Sequence, residues 1–551
     1  MPSGRINIKF GSRPYSLLAS SSHYQHQILL NSLNKTGGTT SGGGPVPQFF
    51  ISTTGSDSNP GTLNSPWAIT ALSTKSATYA GKVLGIIAGT YDISALNQPS
   101  RPFNTSLFSV PSGTNSANPT TICSCDSTGK YSQRGAWLSA KLASGTQRYT
   151  GTNSNGGGTN EGGIIGNTAA TCHDIVIDGL RLSGVRCTPL AFGSGPQGGS
   201  SPASPSYTNT GIVVKNCEIF DCNDTAYGVT GGNYCGVQLF NCSNALIQNN
   251  YFHDILSFTS SRIDHLSIQI CWNSRGTVIE YNTAREAGGF YGKEGGNQGT
   301  IIRYNYVEHQ NVSQGMAIQD FTGYSTTSAL ADTTQIHHNV LVTNGSGLRL
   351  TSTLATGGGQ GWSTPLQMYN NTIIWTAISV CGMEMYAMTG TPAVGAMQFY
   401  NNIMCGAVQT NEGTTTLNYA APQVTGGACM VAYNVYQTGA QKWVLTANSS
   451  GSPFSGNANA STIAAARTAY TAGGGVGTLE ASSAATSQAN AALFVLNGVS
   501  AAKYKLLAGS AALSAGYSNG TGSGGAVVDA GAWSNGITSQ GIGSTLNGIL
   551  D

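Results

Sequence analysis

IVIDG (175–179), IVVKN (212–216), LIQNN (246–250), VIEYN (278–282) and IIRYN (301–305) are followed by QIHHN (335–339), QMYNN (367–371), QFYNN (398–402) and VAYN (431–434). The windows end at 179, 216, 250, 282, 305, 339, 371, 402 and 434, so successive ends lie 37, 34, 32, 23, 34, 32, 31 and 32 residues apart. A short apolar segment recurring at such a period, ending in Asn in every window but the first, predicts a solenoid in which each repeat is one coil. Three residues before each end the side chain is apolar: Val176, Val213, Ile247, Ile279, Ile302, Ile336, Met368, Phe399 and Val431. Two residues after, it is often apolar again, as at Phe252, Ala284, Val307, Leu341, Ile373 and Met404. The chain must bend between them. Asn suits a bend because it tolerates the left-handed backbone region and its amide bonds to nearby backbone. In coils stacked about 4.8 Å apart, such amides also bond to one another along the axis.

A second strand series precedes the first within several coils: GVQLF (236–240), LSIQI (266–270), GMAIQ (315–319), GLRL (347–350) and GMEM (382–385). Alternation turns Val237, Leu239, Leu266, Ile268, Ile270, Met316, Ile318, Leu348, Leu350, Met383 and Met385 inward. With two or three strands per coil and no helical periodicity, the expected fold is all-β: a single-stranded parallel β-helix.

Composition agrees. Charged residues are 8% of the chain, against about a quarter in ordinary domains. Twenty-four Tyr and the repeated Val/Ile runs separate it from a disordered polar chain. A formal net charge of +2 with no basic stripe gives no electrostatic case for nucleic acid. No stretch reaches the length of a membrane span. The twelve Cys lack the paired CxxC spacing of a zinc site. They read as small buried side chains in stacked coils, which suits synthesis in a reducing cytoplasm. The N-terminus has no long apolar core, so export by the general secretory route is not expected. KTGGTTSGGG (35–44) reads as a linker, which makes 1–47 an attachment segment, 48–440 the β-helix and 441–551 a closing segment. Within the last, STIAAARTAYTAG (461–473) is expected to form a short helix; residues 95–170 read as early coils with long loops.

FFISTTGSDSNPGTLNSPWAITAL (49–72), paired with GKVLGIIAGTYDIS (81–94), resembles the opening of secreted and viral right-handed β-helix proteins of the pectate-lyase-like superfamily. LLAGSAALSAG (506–516) and VVDAGAW (527–533) resemble their closing segment. The resemblance implies a first segment leading into the first coil and a short helix over the open end. For chemistry it leaves lyase, hydrolase, epimerase and non-catalytic binder open.

The second strand series offers a surface. Its outward positions are Gln238, Ser267, Gln269, Ala317, Gln319, Arg349 and Glu384, and FYGKEGG (290–296) puts Tyr291 and Lys293 outward if Phe290 faces in. Such a column of Gln, Lys, Arg and Glu beside aromatics suits an extended sugar chain, with Gln238, Gln269, Tyr291, Gln319, Arg349 and Glu384 as contacts. The densest reactive cluster is His253, Asp254, Arg262, Asp264, His265, Arg285, Glu286, Lys293 and Glu294. In a lyase, Lys293, Arg262 and His265 would serve as base and acid-neutralising cation. In a hydrolase, Asp254, Asp264, Glu286, Glu294 and Asp320 would supply the two carboxylates. The catalytic candidates are therefore Lys293, Asp264, His265, Arg262 and Glu294. Asp221 and Asp224 leave calcium open as a cofactor, although their spacing is far short of an EF-hand loop. There is no phosphate loop, no GxSxG and no HExxH.

The expected protein is a virion surface or tail spike, bacteriophage in type, that binds a host cell-surface glycan and cleaves it if it is catalytic. It would attach to other virion proteins through 1–47 and, as the spikes it resembles do, form a homotrimer. A free extracellular polysaccharide lyase or hydrolase is the second reading. A structural virion protein without ligand is the third.

Overall fold

The computed structural model describes residues 44–96, 106–140, 163–167, 171–185, 188–193, 209–222, 234–255, 265–271, 274–287, 289–294, 299–309, 316–321, 334–343, 348–351, 367–375, 383–386, 398–406, 417–420, 429–432, 435–437, 443–446, 458–460, 477–479 and 486–488. The attachment segment and linker up to residue 43, the helix expected at 461–473 and the closing segments 506–516 and 527–533 lie outside the described residues.

One coil shows the plan. Leu246–Gln248 lies in sheet 1, Tyr251–His253 in sheet 2 and His265–Cys271 in sheet 3; Val278–Glu280 then returns to sheet 1 beside Leu246–Gln248, parallel to it. Repetition builds sheets of 14, 12 and 12 strands. Among the described strands all pairs are parallel except Trp443–Thr446 with Ala458–Ala460 at one end of sheet 3. Crossovers between parallel right-twisted strands are right-handed, so the fold is the right-handed parallel β-helix that the resemblance implies. Strands Phe108–Ser109, Thr120–Cys125, Ala136–Ser139 and Ile165–Asn167 are the early coils expected in 95–170.

The first coil would expose a sheet edge, an invitation to pair with another chain. Here Phe50 N–H donates to Gly61 O (2.8 Å) and Trp67 N–H to Phe50 O (2.9 Å), while the Trp67 ring stacks on Phe49 at 4.9 Å. Short helices Ala71–Thr74 and Ser76–Tyr79 bury Leu72 and Tyr79, whose hydroxyl donates to Leu72 O.

The asparagine corner forms as the period predicts. Asn250, Asn282, Asn305, Asn339, Asn371 and Asn402 are fully buried, one per coil. From Asn250 to Asn371, each donates its backbone N–H and its amide to the Oδ1 of the next, at 2.9–3.1 Å. The amide also donates to a backbone carbonyl of the preceding coil, as Asn305 does to Ile279 O (3.0 Å). Only a side chain with a donor and an acceptor on one planar group can do both.

Two details differ from the expectation. The left-handed residue is not the ladder Asn but the one before it: Asn249, Tyr281, Tyr304, His338, Asn370 and Asn401 have φ of 55–57°. Asn216 (φ 58°) and Gly179 (φ 70°) belong to that left-handed column, because Lys215 pairs with Gln248 and Asp178 with Lys215. The ladder therefore begins where Cys217 N–H donates to Asn250 Oδ1 (2.9 Å). Val176 and Val213 accordingly leave the inward column and join Leu246 and Val278 in a separate apolar cluster; Ile177, Val214, Ile247, Ile279, Ile302, Ile336 and Met368 are the core. A run such as IVIDG or IVVKN is apolar on both faces, so alternation carries no phase information there.

The second strand series lies in sheet 3, with Val237, Leu239, Ile268 and Ile270 in the core as expected. The short coil corrects one expectation. Phe290 faces in, but so does Tyr291: both are fully buried in the core cluster. A Cβ on Gly236 would meet the Phe252 ring, a core side chain, at 2.8 Å, so two successive positions (236–237, and again 290–291) face the interior. Strict alternation breaks there, and Gly292, not Tyr291, stands opposite Gln269. A Cβ on Gly292 would strike Leu266, placing Leu266 on the glutamine side and not in the core cluster.

All eight cysteines whose surroundings are described (Cys123, Cys125, Cys172, Cys217, Cys222, Cys235, Cys242 and Cys271) are buried free thiols. Burial pushes the Cys217 thiol up to about 12, so it stays protonated and behaves as a small hydrophobe. Among the described residues no helix is long and apolar enough to cross a membrane.

Candidate functional site

The column expected in sheet 3 exists. Gln238, Gln269, Gly292, Gln319, Arg349, Glu384 and Asn418 stand opposite one another on successive strands. Its first two members are not open to solvent. Gln238 and Gln269 are each 1% exposed, and Gln238 Nε2 donates to Gln269 Oε1 at 2.6 Å. Cys235 Sγ donates to the same oxygen at 3.2 Å. His265, Lys293, Glu294, Gln319, Arg349 and Glu384 are placed by their backbone. Lys293 stands between Ile270 and Asp320, in the register column of the buried Leu239, and Glu294 stands opposite Cys271. His265 pairs with Tyr234 at the far end of its strand. It is five positions from Ile270, or about 16 Å along the strand, so the backbone sets Lys293 and Asp320 in the column of Leu239 and Ile270, Glu294 in the neighbouring column, and His265 apart from all three. Arg262, Asp264 and Asp224 lie outside the described residues.

A built cluster of polar side chains lies instead on the outer face of sheet 2. Leu138, Leu182, Ile219, Phe252, Ala284 and Val307 point into the core, so their neighbours point out. One outward column runs Trp137, Arg181, Glu218, Tyr251; the other runs Ser139, Ser183, Phe220, His253, Arg285, Glu308. Trp137 to Tyr251 spans about 14 Å along the axis, from three steps of about 4.8 Å.

Arg181 is the centre of the first column. Its Nε donates to Glu218 Oε2 (2.8 Å), and its guanidinium lies 4.9 Å from the Trp137 ring and 5.3 Å from the Phe220 ring. Trp137 Nε1 donates to Ser183 Oγ (2.8 Å). In the next coil the His253 ring stacks on Phe220 at 4.8 Å and on Tyr251 at 4.4 Å. Its Nε2 reaches Glu218 Oε1 (3.2 Å) and its Nδ1 reaches Asp254 Oδ2 (2.7 Å). Asp254 has φ 53°, a left-handed turn at the end of its strand that folds the carboxylate back over its neighbour. One coil further, Arg285 Nε lies 3.3 Å from Glu308 Oε2.

The electrostatics follow. Burial raises the Glu218 carboxyl, but His253, Arg181 and Arg134 outweigh it and hold the group below the usual carboxylate range. The hydrogen bond from His253 lowers Asp254. Burial lowers His253, yet its bonds to Asp254 and Glu218 prevail and raise it. The array is thus a charge-compensated set of planar polar groups with locked rotamers. It can hydrogen-bond hydroxyls without paying to order itself. Glycoside hydrolysis is a poor match, because it needs two carboxylates on either side of an open gap. Here the imidazole fills the space between Glu218 and Asp254.

The sequence reading placed His253, Asp254 and Arg285 in its reactive cluster and missed Trp137, Arg181, Glu218 and Phe220. The available signal was their position one and two coils apart, just after the corner.

No protein-family model matches the chain, and no curated protein matches it. Among solved structures, pectate lyase Pel9A is 14% identical, covers 88% of this chain and 95% of its own, and has a TM-score of 0.47. A double mutant of the tailspike protein of E. coli bacteriophage HK620 is 9% identical, with coverage of 77% and 87% and a TM-score of 0.36. A PL6-family polysaccharide lyase from Pseudopedobacter saltans is 13% identical, with coverage of 73% and 88% and a TM-score of 0.36. At these TM-scores the likeness adds nothing to the fold argument, which rests on the parallel register itself.

Proposed function

We propose that the chain is a virion surface spike, bacteriophage in type, that binds a host cell-surface polysaccharide along the outer side of its solenoid. The observation that carries the binding is the rigid array Trp137, Arg181, Glu218, His253 and Asp254 on sheet 2. A sugar chain presents hydroxyls at regular spacing, and fixed planar donors and acceptors across several coils suit it. Low charge, buried thiols and the Gly/Ser/Thr-rich stretch before the first coil support the virion reading. In it, residues 1–47 join other virion proteins, and three copies associate with parallel axes.

A glycan array probed with the purified protein tests the binding, with Trp137→Ala and Arg181→Ala expected to weaken any hit at least about tenfold, as loss of a central aromatic or Arg contact does. Equal binding by both variants would move the site elsewhere. Detection of the chain in purified particles tests the location, and sedimentation tests the trimer: a stable monomer at micromolar concentration refutes it.

The second reading is a free extracellular polysaccharide lyase. The register pairing of Lys293 with Asp320, a base beside an acid, favours it. Lys293→Ala should then lower turnover by about 10²–10⁴-fold, the usual contribution of a positioned base. Ultraviolet absorbance of newly formed unsaturated ends would follow the reaction, and an unchanged rate removes Lys293 from it.

A further inference from the structure

Arg134 stands apart from the other half-buried cations of the described residues. Arg181, Lys215, Arg285 and Arg303 each lie within ion-pair distance of a carboxylate, at 2.8, 3.5, 3.3 and 2.7 Å. Arg134 has none. Of its five N–H donors, one Nη2 bond reaches Cys217 O (3.2 Å), while Nε is buried without a partner. The guanidinium lies 5.6 Å from the Tyr251 ring centroid, beside the sheet 2 array. The carboxylate whose charge acts on it, Glu218, is already engaged by Arg181 and His253.

The backbone adds an independent sign. Arg134 has φ 61°, a conformation that favours Gly or Asn, and is held there by its N–H bond to Gly179 O (2.6 Å). From that turn the side chain crosses the corner from the first coils toward Cys217 and Tyr251. Burial lowers its pKa to about 10, outweighing the opposing charge of Glu218. A half-buried cation with no carboxylate within ion-pair distance and one guanidinium bond to protein gains from an incoming oxyanion, and guanidinium geometry fits a carboxylate or sulfate with two parallel bonds.

We propose that Arg134 is an anion-binding residue at the edge of the sheet 2 array, and that the glycan taken there carries a carboxylate or sulfate group. The proposal rests on the reading of that array as a glycan site.

The test measures binding of wild type, Arg134→Met, Arg134→Lys and the exposed-loop control Lys130→Met to four polymers: polygalacturonate, its carboxyl-reduced form, dextran sulfate and dextran. Wild type should prefer an acidic polymer over its neutral match. Arg134→Met should lose about ten- to a hundredfold of that affinity, the usual loss for one charge-assisted contact. Arg134→Lys should recover part of it, and Lys130→Met should match wild type. Polygalacturonate against dextran sulfate separates carboxylate from sulfate. Equal binding of acidic and neutral polymers overturns the anion site while leaving glycan binding intact. A lowered melting temperature in Arg134→Met with unchanged acidic affinity shows a mere strut across the corner and also overturns it. Binding of none of the four, alongside a blank glycan array, removes both this proposal and the reading beneath it.

Discussion

Replacing Asn305 with Ala would remove one rung from the middle of the corner ladder. Its amide donates to Ile279 O, Arg303 O and Asn339 Oδ1 at 2.9–3.0 Å, and its Oδ1 accepts from the backbone N–H and the amide of Asn282 at 2.9 and 3.0 Å. Two hydrogens and two lone pairs are therefore in use, worth about 1 kcal/mol net each. The truncation also leaves the Asn282 N–H buried without its acceptor, which costs about 1–3 kcal/mol more. Relaxation of the corner offsets part of this, so the expected loss is about 4–5 kcal/mol. A solenoid contacts only its nearest neighbours, so the loss should stay local. Hydrogen exchange read by mass spectrometry on the coils holding Asn282 and Asn339 is the right assay, because a chain of this length need not unfold in one step. Amides of strands Val278–Glu280 and Gln335–His337 should exchange about 10³-fold faster, while Val83–Ile87 and Thr120–Cys125 stay as in wild type. A change below about tenfold beside the mutation would refute the energetic role given to the ladder, and equal acceleration at the distant strands would refute its local character.

His337 and His338 predict acid lability. Burial pushes His338 down to about 4 and His337 well below its ordinary value, with Arg303 opposing protonation of both. Their rings sit against Tyr304 and Tyr369, and their Nδ1 atoms are 2.7 Å apart. Above pH 6.5 this neutral pair contributes its full stability. As pH falls from 6.5 toward 4 the unfolded chain takes up protons that the native state refuses, so stability is lost, by about 2 kcal/mol at pH 5 for His338 alone. Urea unfolding that is flat between pH 6.5 and 4.5 would refute this. Glu218→Gln should lower the His253 pKa, because burial lowers it and only Asp254 would remain to raise it; an unchanged NMR titration of His253 contradicts the ion-pair geometry. Tyr131→Phe removes a 2.6 Å bond to the buried Asp178, which keeps only Asn216 and Lys215 as partners. It should cost about 2 kcal/mol, as bonds to charged groups do, and a loss below about 0.5 kcal/mol in urea unfolding would count against it.

The ladder was readable because its chemistry admits one residue type. Each rung must accept from the coil before it, donate to the coil after it and fit a fully buried corner, so Asn recurs from Asn250 to Asn402 and the period shows through every loop. Phase is a weaker signal than period. Where strands are apolar on both faces nothing in the pattern says which Val looks inward, and where a short coil turns Phe290 and Tyr291 to the core together, alternation misplaces the second.

The missed residues follow from that phase. If Asn216 is matched to Asn250, then Glu218 is matched to Phe252 and assigned to the core, and Gly179 sends Arg181 the same way. The register matches Asn216 to Asn249 instead, so Glu218 stands opposite Tyr251 and Arg181 opposite Glu218. A one-residue slip exchanges every inward side chain of a strand for an outward one. It therefore hid an arginine and a glutamate whose 37-residue separation is one turn of the helix and whose side chains meet at 2.8 Å. No local motif could have restored them, because Trp137, Arg181, Glu218 and His253 come from four different coils and become neighbours only through stacking.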